Sequence, residues 1–327
     1  MAVDGNLDVQ GVVSNTAGGL LQLNGTGKTV RGNIQGAAIF GAYTQNGPLV
    51  VASDFVIRGD LTVNGQTLSI SNNLNLLSAG RLFMTNPADQ VIVSGDANFR
   101  GGSTAGTLTD GNLFIAGNLA QDNSGTGLPA TSFSPSGNHT TWFTGGGVQQ
   151  VDIFNTGTGA GFSHFANLNL STATGSVTLV RFNTVFVDGV LTSHPVSTQP
   201  TLATSNAAKL QVQGVDVDGL VLDNLPLLIS GGPLTKFNRV TLQNYSPSAV
   251  QLTVSHPGAA TPFTFDQLVF STTPTTGGAY LQADDIAPTD GVVLTLDLTN
   301  PSPSTPGGFA VTTGGAVINW PAAGEAH

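Results

Sequence analysis

Gly59-Asp60-Leu61-Thr62-Val63 is one copy of a short motif that repeats along this chain and predicts its fold. A Gly or Asn, an Asn or Asp and an apolar residue recur through the first third of the sequence, at Gly5-Asn6-Leu7, Gly32-Asn33-Ile34, Asn72-Asn73-Leu74, Gly95-Asp96-Ala97 and Gly117-Asn118-Leu119. Each copy joins turn-forming residues to the start of an alternating apolar strand. Gly5, Gly32 and Gly59 are evenly spaced, 27 residues apart. A regular period of this length predicts stacked coils.

The composition also indicates an all-β protein. Only 9% of the residues are charged, whereas an ordinary soluble domain has about 25%. Strong helix formers such as Glu, Lys and Met are scarce, while turn-forming glycine occurs 43 times. The chain has no cysteine, which excludes disulfides, a thiol nucleophile and a cysteine-based metal site.

The charge balance and hydropathy argue against two classes of partner. The net charge is −10, and the nine Lys and Arg residues are scattered singly, so no basic stripe is available for nucleic acid. No apolar run approaches the roughly 20 residues that span a bilayer, so we expect no membrane insertion. The first residues lack the pattern of an export signal and already read as a repeat strand. We therefore expect that the chain is a fragment of a larger protein.

The predicted fold is a right-handed parallel β-helix, or β-solenoid, that forms a single elongated domain. Short apolar strands are predicted at residues 20–23, 49–51, 55–57, 61–63, 68–70, 74–77, 82–84, 91–93 and 113–116. Tight turns between short strands suit a parallel coil, in which apolar residues point inward. Asn64-Gly65 and Asp110-Gly111 are also typical of hairpin turns. Antiparallel β-sandwich repeats are therefore the alternative fold.

The regularity of the pattern divides the chain into three segments. Residues 1–122 are predicted to form regular coils. Residues 123–164 are rich in Gly, Ser and Thr and are interpreted as an irregular segment or a loop. Residues 165–327 are predicted to continue the solenoid and to end in a C-terminal cap, because a new motif recurs at Phe165-Leu168-Leu170, Phe237-Val240-Leu242 and Phe265-Leu268-Phe270.

The repeated steps, together with the stretch from Gly137-Asn138-His139 to Trp142-Phe143 and on to Phe165-Ala166-Asn167-Leu168, resemble a known class of repeat protein. They are similar to the β-solenoid passenger regions of large bacterial surface proteins of the filamentous-haemagglutinin and autotransporter adhesin type. The resemblance implies an extracellular or cell-surface location. It also implies a role in adhesion or as a stalk-like spacer.

The expected function is that of a non-enzymatic structural or adhesive module. Its partners would be a glycan or protein on a surface, or neighbouring copies of itself. The alternative is a polysaccharide-binding or polysaccharide-degrading β-helix protein, a lyase or glycosidase. Degradation needs clustered acids, and the sequence shows no local cluster of this kind. It also has no Gly-x-Ser-x-Gly elbow, and its histidines lack metal-ligand spacing.

Two groups of residues are candidate sites. Asp216 and Asp218 occupy alternating positions, so their two carboxylates would share one strand face, and Asp223 follows close by; calcium is therefore the one candidate cofactor. Solvated carboxylates on a strand face are the competing interpretation. Trp142, His139 and Tyr280 are candidate ligand-binding residues, because amphipathic aromatic side chains stack on sugars or dock partners. The competing interpretation of the aromatic residues is core packing.

Arg58-Gly59-Asp60 spells a tripeptide that some integrins recognise. Gly59 and Asp60 also form the turn step of the repeat. We interpret the tripeptide as part of that step.

Overall fold

A computed structural model describes residues 2–13, 21–121, 129–157, 159–171, 177–181, 183–194, 200–204, 208–212, 217–230, 237–246, 250–255, 263–270, 279–284, 293–300, 309–311 and 317–319. All regular elements in these ranges are β-strands. The chain divides into two compact units, Met1–Asn167 and Leu168–His327.

The strands of the first part of the chain are short, and several match the predicted ranges to within a residue. They are β1 (Ala2–Val3), β2 (Leu7–Val13), β3 (Leu21–Leu23), β4 (Thr26–Ile34), β5 (Ala37–Ile39), β6 (Ala42–Val51), β7 (Phe55–Ile57), β8 (Asp60–Thr62), β9 (Thr67–Ile70), β10 (Leu74–Leu77), β11 (Arg81–Phe83), β12 (Gln90–Val93), β13 (Ala97–Arg100), β14 (Asn112–Ile115), β15 (Leu119–Gln121), β16 (Thr140–Phe143) and β17 (Val148–Ile153).

The later strands include longer ones. They are β18 (Asn167–Ser171), β19 (Val177–Arg181), β20 (Val185–Val187), β21 (Leu191–His194), β22 (Thr201–Thr204), β23 (Leu210–Val212), β24 (Val217–Asp223), β25 (Leu227–Ser230), β26 (Phe237–Gln243), β27 (Val250–Ser255), β28 (Phe263–Phe270), β29 (Ala279–Asp284), β30 (Val293–Asn300), β31 (Phe309–Val311) and β32 (Val317–Asn319).

The strands stack in parallel, as a β-helix requires. One face of the first unit is built by β3, β5, β7, β10, β13, β15 and β17, each paired in parallel with the next. The predicted parallel β-helix is confirmed, and the antiparallel sandwich is wrong. Asn64 and Gly65 do form a turn with positive φ. They connect β8 to β9, which pair with strands of neighbouring coils.

The core lies inside the coils, where apolar residues stack in register. One such column consists of Leu21, Ala37, Phe55, Leu74, Ala97, Leu119 and Val151, and all of these side chains are buried. Burying one large aliphatic or aromatic side chain contributes about 1.5–3 kcal/mol. Because outward residues alternate with inward ones, the short strands can bury a core and still face solvent.

A ladder of side-chain oxygens at one corner explains the repeated Asn/Asp step. The Oδ1 atom of Asp54 accepts a hydrogen bond from the backbone N–H of Asn73 at 3.1 Å. In the same way Asn73 accepts from Asp96 at 2.8 Å, and Asp96 accepts from Asn118 at 2.7 Å. Asn118 then accepts from the backbone N–H of Gln150 at 2.8 Å. Each Asn or Asp therefore holds the corner of the next coil.

The register of this corner corrects the 27-residue period expected from the sequence. Leu74, Ala97 and Leu119 are register partners, so the later copies of the step do stack. Their spacings are 23 and 22 residues, as the ladder bonds also show. Gly32 instead pairs with Leu49 inside a strand. The even spacing of the first three glycines does not reflect stacked positions.

Segment 123–164, interpreted from sequence as irregular, carries two regular strands. β16 pairs with β14, and β17 pairs with β15, both in parallel. In the second unit, the Phe motif stacks as the repeat interpretation expects. Phe237 pairs with Phe265, and Leu242 pairs with Phe270.

Candidate functional site

Three adjacent coils present apolar side chains on one outward face. Ile92 of β12 pairs with Phe114 of β14, and Phe114 pairs with Trp142 of β16. Their strand neighbours Val91 and Val93 are buried, so the alternation directs Ile92 outward, where 37% of it is exposed. We call Ile92, Phe114 and Trp142 the outward column. With about 4.8 Å between neighbouring strands, they form a continuous strip.

The aromatic end of the outward column is held in place by specific contacts. The ring centroids of Phe114 and Trp142 lie 5.6 Å apart with an interplanar angle of 30°. The Trp142 Nε1–H donates a hydrogen bond to Asn112 Oδ1 at 2.9 Å. Since Asn112 and Phe114 are two residues apart on β14, both lie on the same face. The strip can therefore offer a flat apolar surface to a sugar ring or a protein partner.

His139 lies inside the coil and does not share the surface of Trp142. Its side chain is buried, and Nδ1 lies 3.0 Å from the carbonyl oxygen of Asp110. Burial lowers the pKa of His139 to about 4, so the ring is neutral at pH 7. The structure therefore places His139 in the core and Trp142 on the outside.

The third ligand-binding candidate, Tyr280, is only partly placed. Tyr280 lies in β29, and its side chain lies outside the described part of the chain.

Two of the three calcium candidates lie on β24. Asp218 and Asp223 are both half-buried, while Asp216 lies outside the described residues. The Asp223 Oδ2 atom accepts hydrogen bonds from Gln243 Nε2 at 2.9 Å and Asn244 Nδ2 at 2.8 Å. Calcium takes six to eight oxygen ligands. Within the described ranges, no group of three or more His, Cys, Asp or Glu residues could hold a metal ion.

Arg58-Gly59-Asp60 is built into a coil corner. Both carboxylate oxygens of Asp60 accept hydrogen bonds from Arg81, at 2.9 Å from Nε and 2.7 Å from Nη2. Arg58 donates to Ser78 Oγ at 3.0 Å, and its guanidinium lies 5.9 Å from the centre of the Phe40 ring. The charged groups of the tripeptide are thus engaged by the neighbouring coils.

Sequence reasoning missed Ile92 and Phe114. In the sequence, each is one apolar residue within a short apolar strand and carries no further signal. Only the alternation of inward and outward positions within residues 90–93 and 112–115 indicates that Ile92 and Phe114 point outward. Whether these outward residues meet depends on register between coils, which the sequence pattern does not specify.

Across the described residues, no helix is long and apolar enough to cross a membrane. No model of a known protein family matches the chain. No curated protein matches it, and no solved structure does.

Proposed function

We propose that this chain is a non-enzymatic structural and adhesive module of an extracellular or cell-surface bacterial repeat protein, and that it binds a glycan through the outward column. The observation that carries the proposal is the in-register alignment of Ile92, Phe114 and Trp142 on three successive coils. The location and the bacterial source rest on the resemblance to adhesin passenger regions.

The outward column combines exposure with rigidity. The parallel ladder fixes the backbone beneath it, and the hydrogen bond to Asn112 restrains the indole. A restrained aromatic side chain loses little conformational entropy when a ligand binds. The half-exposed rings can stack on the apolar face of a sugar, while neighbouring polar residues contact its hydroxyl groups.

The stacked coils support the structural part of the proposal. In a parallel β-helix each coil is paired with the coils before and after it. Added coils therefore lengthen both the shared core and the outer surface, and a binding site on that surface needs no core of its own. Asn75 and Asn98, partners on adjacent strands, form a side-chain hydrogen bond of 3.0 Å. Such outward amide contacts reinforce the stack.

The test is a glycan array, followed by calorimetry on the best ligand and a reducing-sugar assay on the same material. We expect binding without turnover, and we expect Trp142→Ala to weaken it at least tenfold. Phe162→Ala is the matched control, because Phe162 is also an exposed aromatic residue of the first unit but lies outside the outward column.

The remaining outcomes separate the alternatives. Release of reducing ends would replace the adhesive function with the polysaccharide-degrading one. Binding that is unaffected by Trp142→Ala would reject the outward column as the site. Absence of any glycan binding would reject the adhesive part of the proposal and favour a spacer.

A further inference from the structure

A column of glycines forms one corner of the first unit. A Cβ atom at Gly59 would overlap the carbonyl oxygen of Gly41, and a Cβ atom at Gly41 would overlap that of Gly25. Successive coils therefore approach most closely where side chains are absent. The backbone N–H of Asp60 donates to Gly41 O at 2.8 Å, and that of Arg81 donates to Gly59 O at 2.8 Å.

A groove of about 540 Å³ lies at this corner. We call it the glycine groove. Gly41, Gly59 and Gly102 line it with backbone alone, since they have no side chains, and we call this backbone lining the floor. The groove crosses several coils. Its lining includes Thr26, Phe40, Arg58, Asp60, Arg81 and Ser103. Phe40 is 45% exposed although it is a large apolar residue.

The glycine groove carries an excess of positive charge in an acidic chain. Arg81 and Asp60 form a two-bond ion pair and neutralise each other. Arg58 is oriented by the hydroxyl group of Ser78 and by the Phe40 ring. Among the described residues it makes no ion pair with a carboxylate. The groove therefore holds one uncompensated guanidinium group, which suits a carboxylate ligand.

The floor argues against an extended peptide as the occupant. A peptide that adds to a sheet needs free backbone N–H and C=O groups. Here the groups at the floor bond to adjacent coils, as Gly102 N does to Gly80 O at 2.9 Å and Ala42 N does to Gly25 O at 2.9 Å. Recognition must come from the side chains and from the glycine backbone that lines the groove. A sugar chain can use both, through its hydroxyl groups and its apolar ring faces.

We propose that the glycine groove binds an acidic oligosaccharide built from uronic acid units. A sugar carboxylate pairs with the Arg58 guanidinium, the sugar hydroxyl groups contact Asp60 and Ser103, and one ring lies against the glycine floor beside Phe40. This inference goes beyond the proposed function, because the groove shares no residue with the outward column.

The test is calorimetric titration of the full chain with tetragalacturonate, with cellotetraose as the neutral sugar and tetraglutamate as the acidic peptide. We expect tetragalacturonate to bind, and we expect its affinity to fall as ionic strength rises. Cellotetraose and tetraglutamate should bind at least tenfold more weakly. Arg58→Gln, which removes the charge and keeps most of the side-chain length, should weaken tetragalacturonate at least tenfold.

Two further variants sharpen the test. Asp60→Asn removes the carboxylate that neutralises Arg81, so it should tighten tetragalacturonate binding at least threefold. Arg31→Gln is the matched control, because Arg31 is a half-exposed arginine that pairs with Asp8 outside the groove. It should leave the affinity unchanged. A thermal melt of each variant shows that the fold is retained.

Several results would overturn the proposal. They are the absence of tetragalacturonate binding to the folded chain, equal affinity for cellotetraose, and preference for tetraglutamate. An Arg58→Gln variant that melts normally and binds as the parent does would also overturn it. If Trp142→Ala loses affinity for tetragalacturonate and Arg58→Gln does not, the ligand binds at the outward column and not in the glycine groove. This result would overturn the present proposal without contradicting the proposed function.

Discussion

Asp96 supports Asn118 on the next coil: the Asp96 Oδ1 atom accepts the Asn118 backbone N–H at 2.7 Å, across 22 residues of sequence. The same contact recurs one coil earlier, where the Asn73 Oδ1 atom accepts the backbone N–H of Asp96 at 2.8 Å. A backbone donor at a coil corner has no strand partner of its own, and the side-chain oxygen satisfies it. The ladder thus links neighbouring coils outside the sheets.

We predict that Asp96→Ala lowers the free energy of unfolding by about 1 kcal/mol, the usual contribution of one partly buried hydrogen bond. Asp96→Asn should have little effect, because the amide keeps the acceptor oxygen and the ladder already uses both residue types. Urea denaturation followed by circular dichroism measures both. Equal losses in the two variants would contradict the role assigned to the oxygen.

Gly59→Val should destabilise the fold by about 1–3 kcal/mol, since the new side chain must push two coils apart or strain the backbone. Its Cβ atom would overlap the carbonyl oxygen of Gly41. Gly147→Val is the control, because a Cβ atom there meets nothing within 4 Å. Thermal melts compare the two. If the two variants have the same melting temperature, the close approach of the coils does not explain why glycine is required at position 59.

Asp89 is a buried carboxylate that organises a turn and a neighbouring coil. It accepts backbone hydrogen bonds from Thr85 at 2.8 Å, Asn86 at 3.0 Å and Gly65. Asp89→Ala leaves these donors without that acceptor, and we predict a loss of about 2–4 kcal/mol in the free energy of unfolding. Asp89→Asn should lie between the parent and the alanine variant. A parent-like urea midpoint for Asp89→Ala would refute the prediction.

The buried imidazole of His139 should make stability depend on pH. Burial lowers its folded pKa to about 4, whereas an unfolded histidine titrates near 6.5. Between these values the unfolded chain binds the additional proton, so stability falls as pH drops from about 6.5 towards 4. The loss attributable to this group is about 3 kcal/mol at pH 4.

His139→Gln isolates that contribution from the titration of the carboxylates. Urea unfolding at several pH values should show a shallower decrease for His139→Gln than for the parent over this range. Above pH 7 the pH dependence of the two proteins should be the same. Parallel curves from pH 7 down to 4 would show that His139 is not buried in its neutral form.

Local sequence patterns determined most of the secondary structure of this protein. The alternation at residues 74–77 predicts β10 (Leu74–Leu77), and Phe55–Ile57 is likewise predicted to the residue. Scarce helix formers and abundant turn formers predict an all-β chain, and short strands with tight turns favour the parallel coil. These properties depend on neighbouring residues, so they can be read along one stretch of chain.

Which coils align, and which side chains meet, became clear only from the contacts between coils. The 27-residue spacing of Gly5, Gly32 and Gly59 suggested one register, and the ladder at Asn73, Asp96 and Asn118 shows another. The outward column and the glycine groove both follow from that register. A coil tolerates changes in turn length, so local sequence does not set the alignment of coils. Inward packing and inter-coil hydrogen bonds select it, and both act between residues that are distant in sequence.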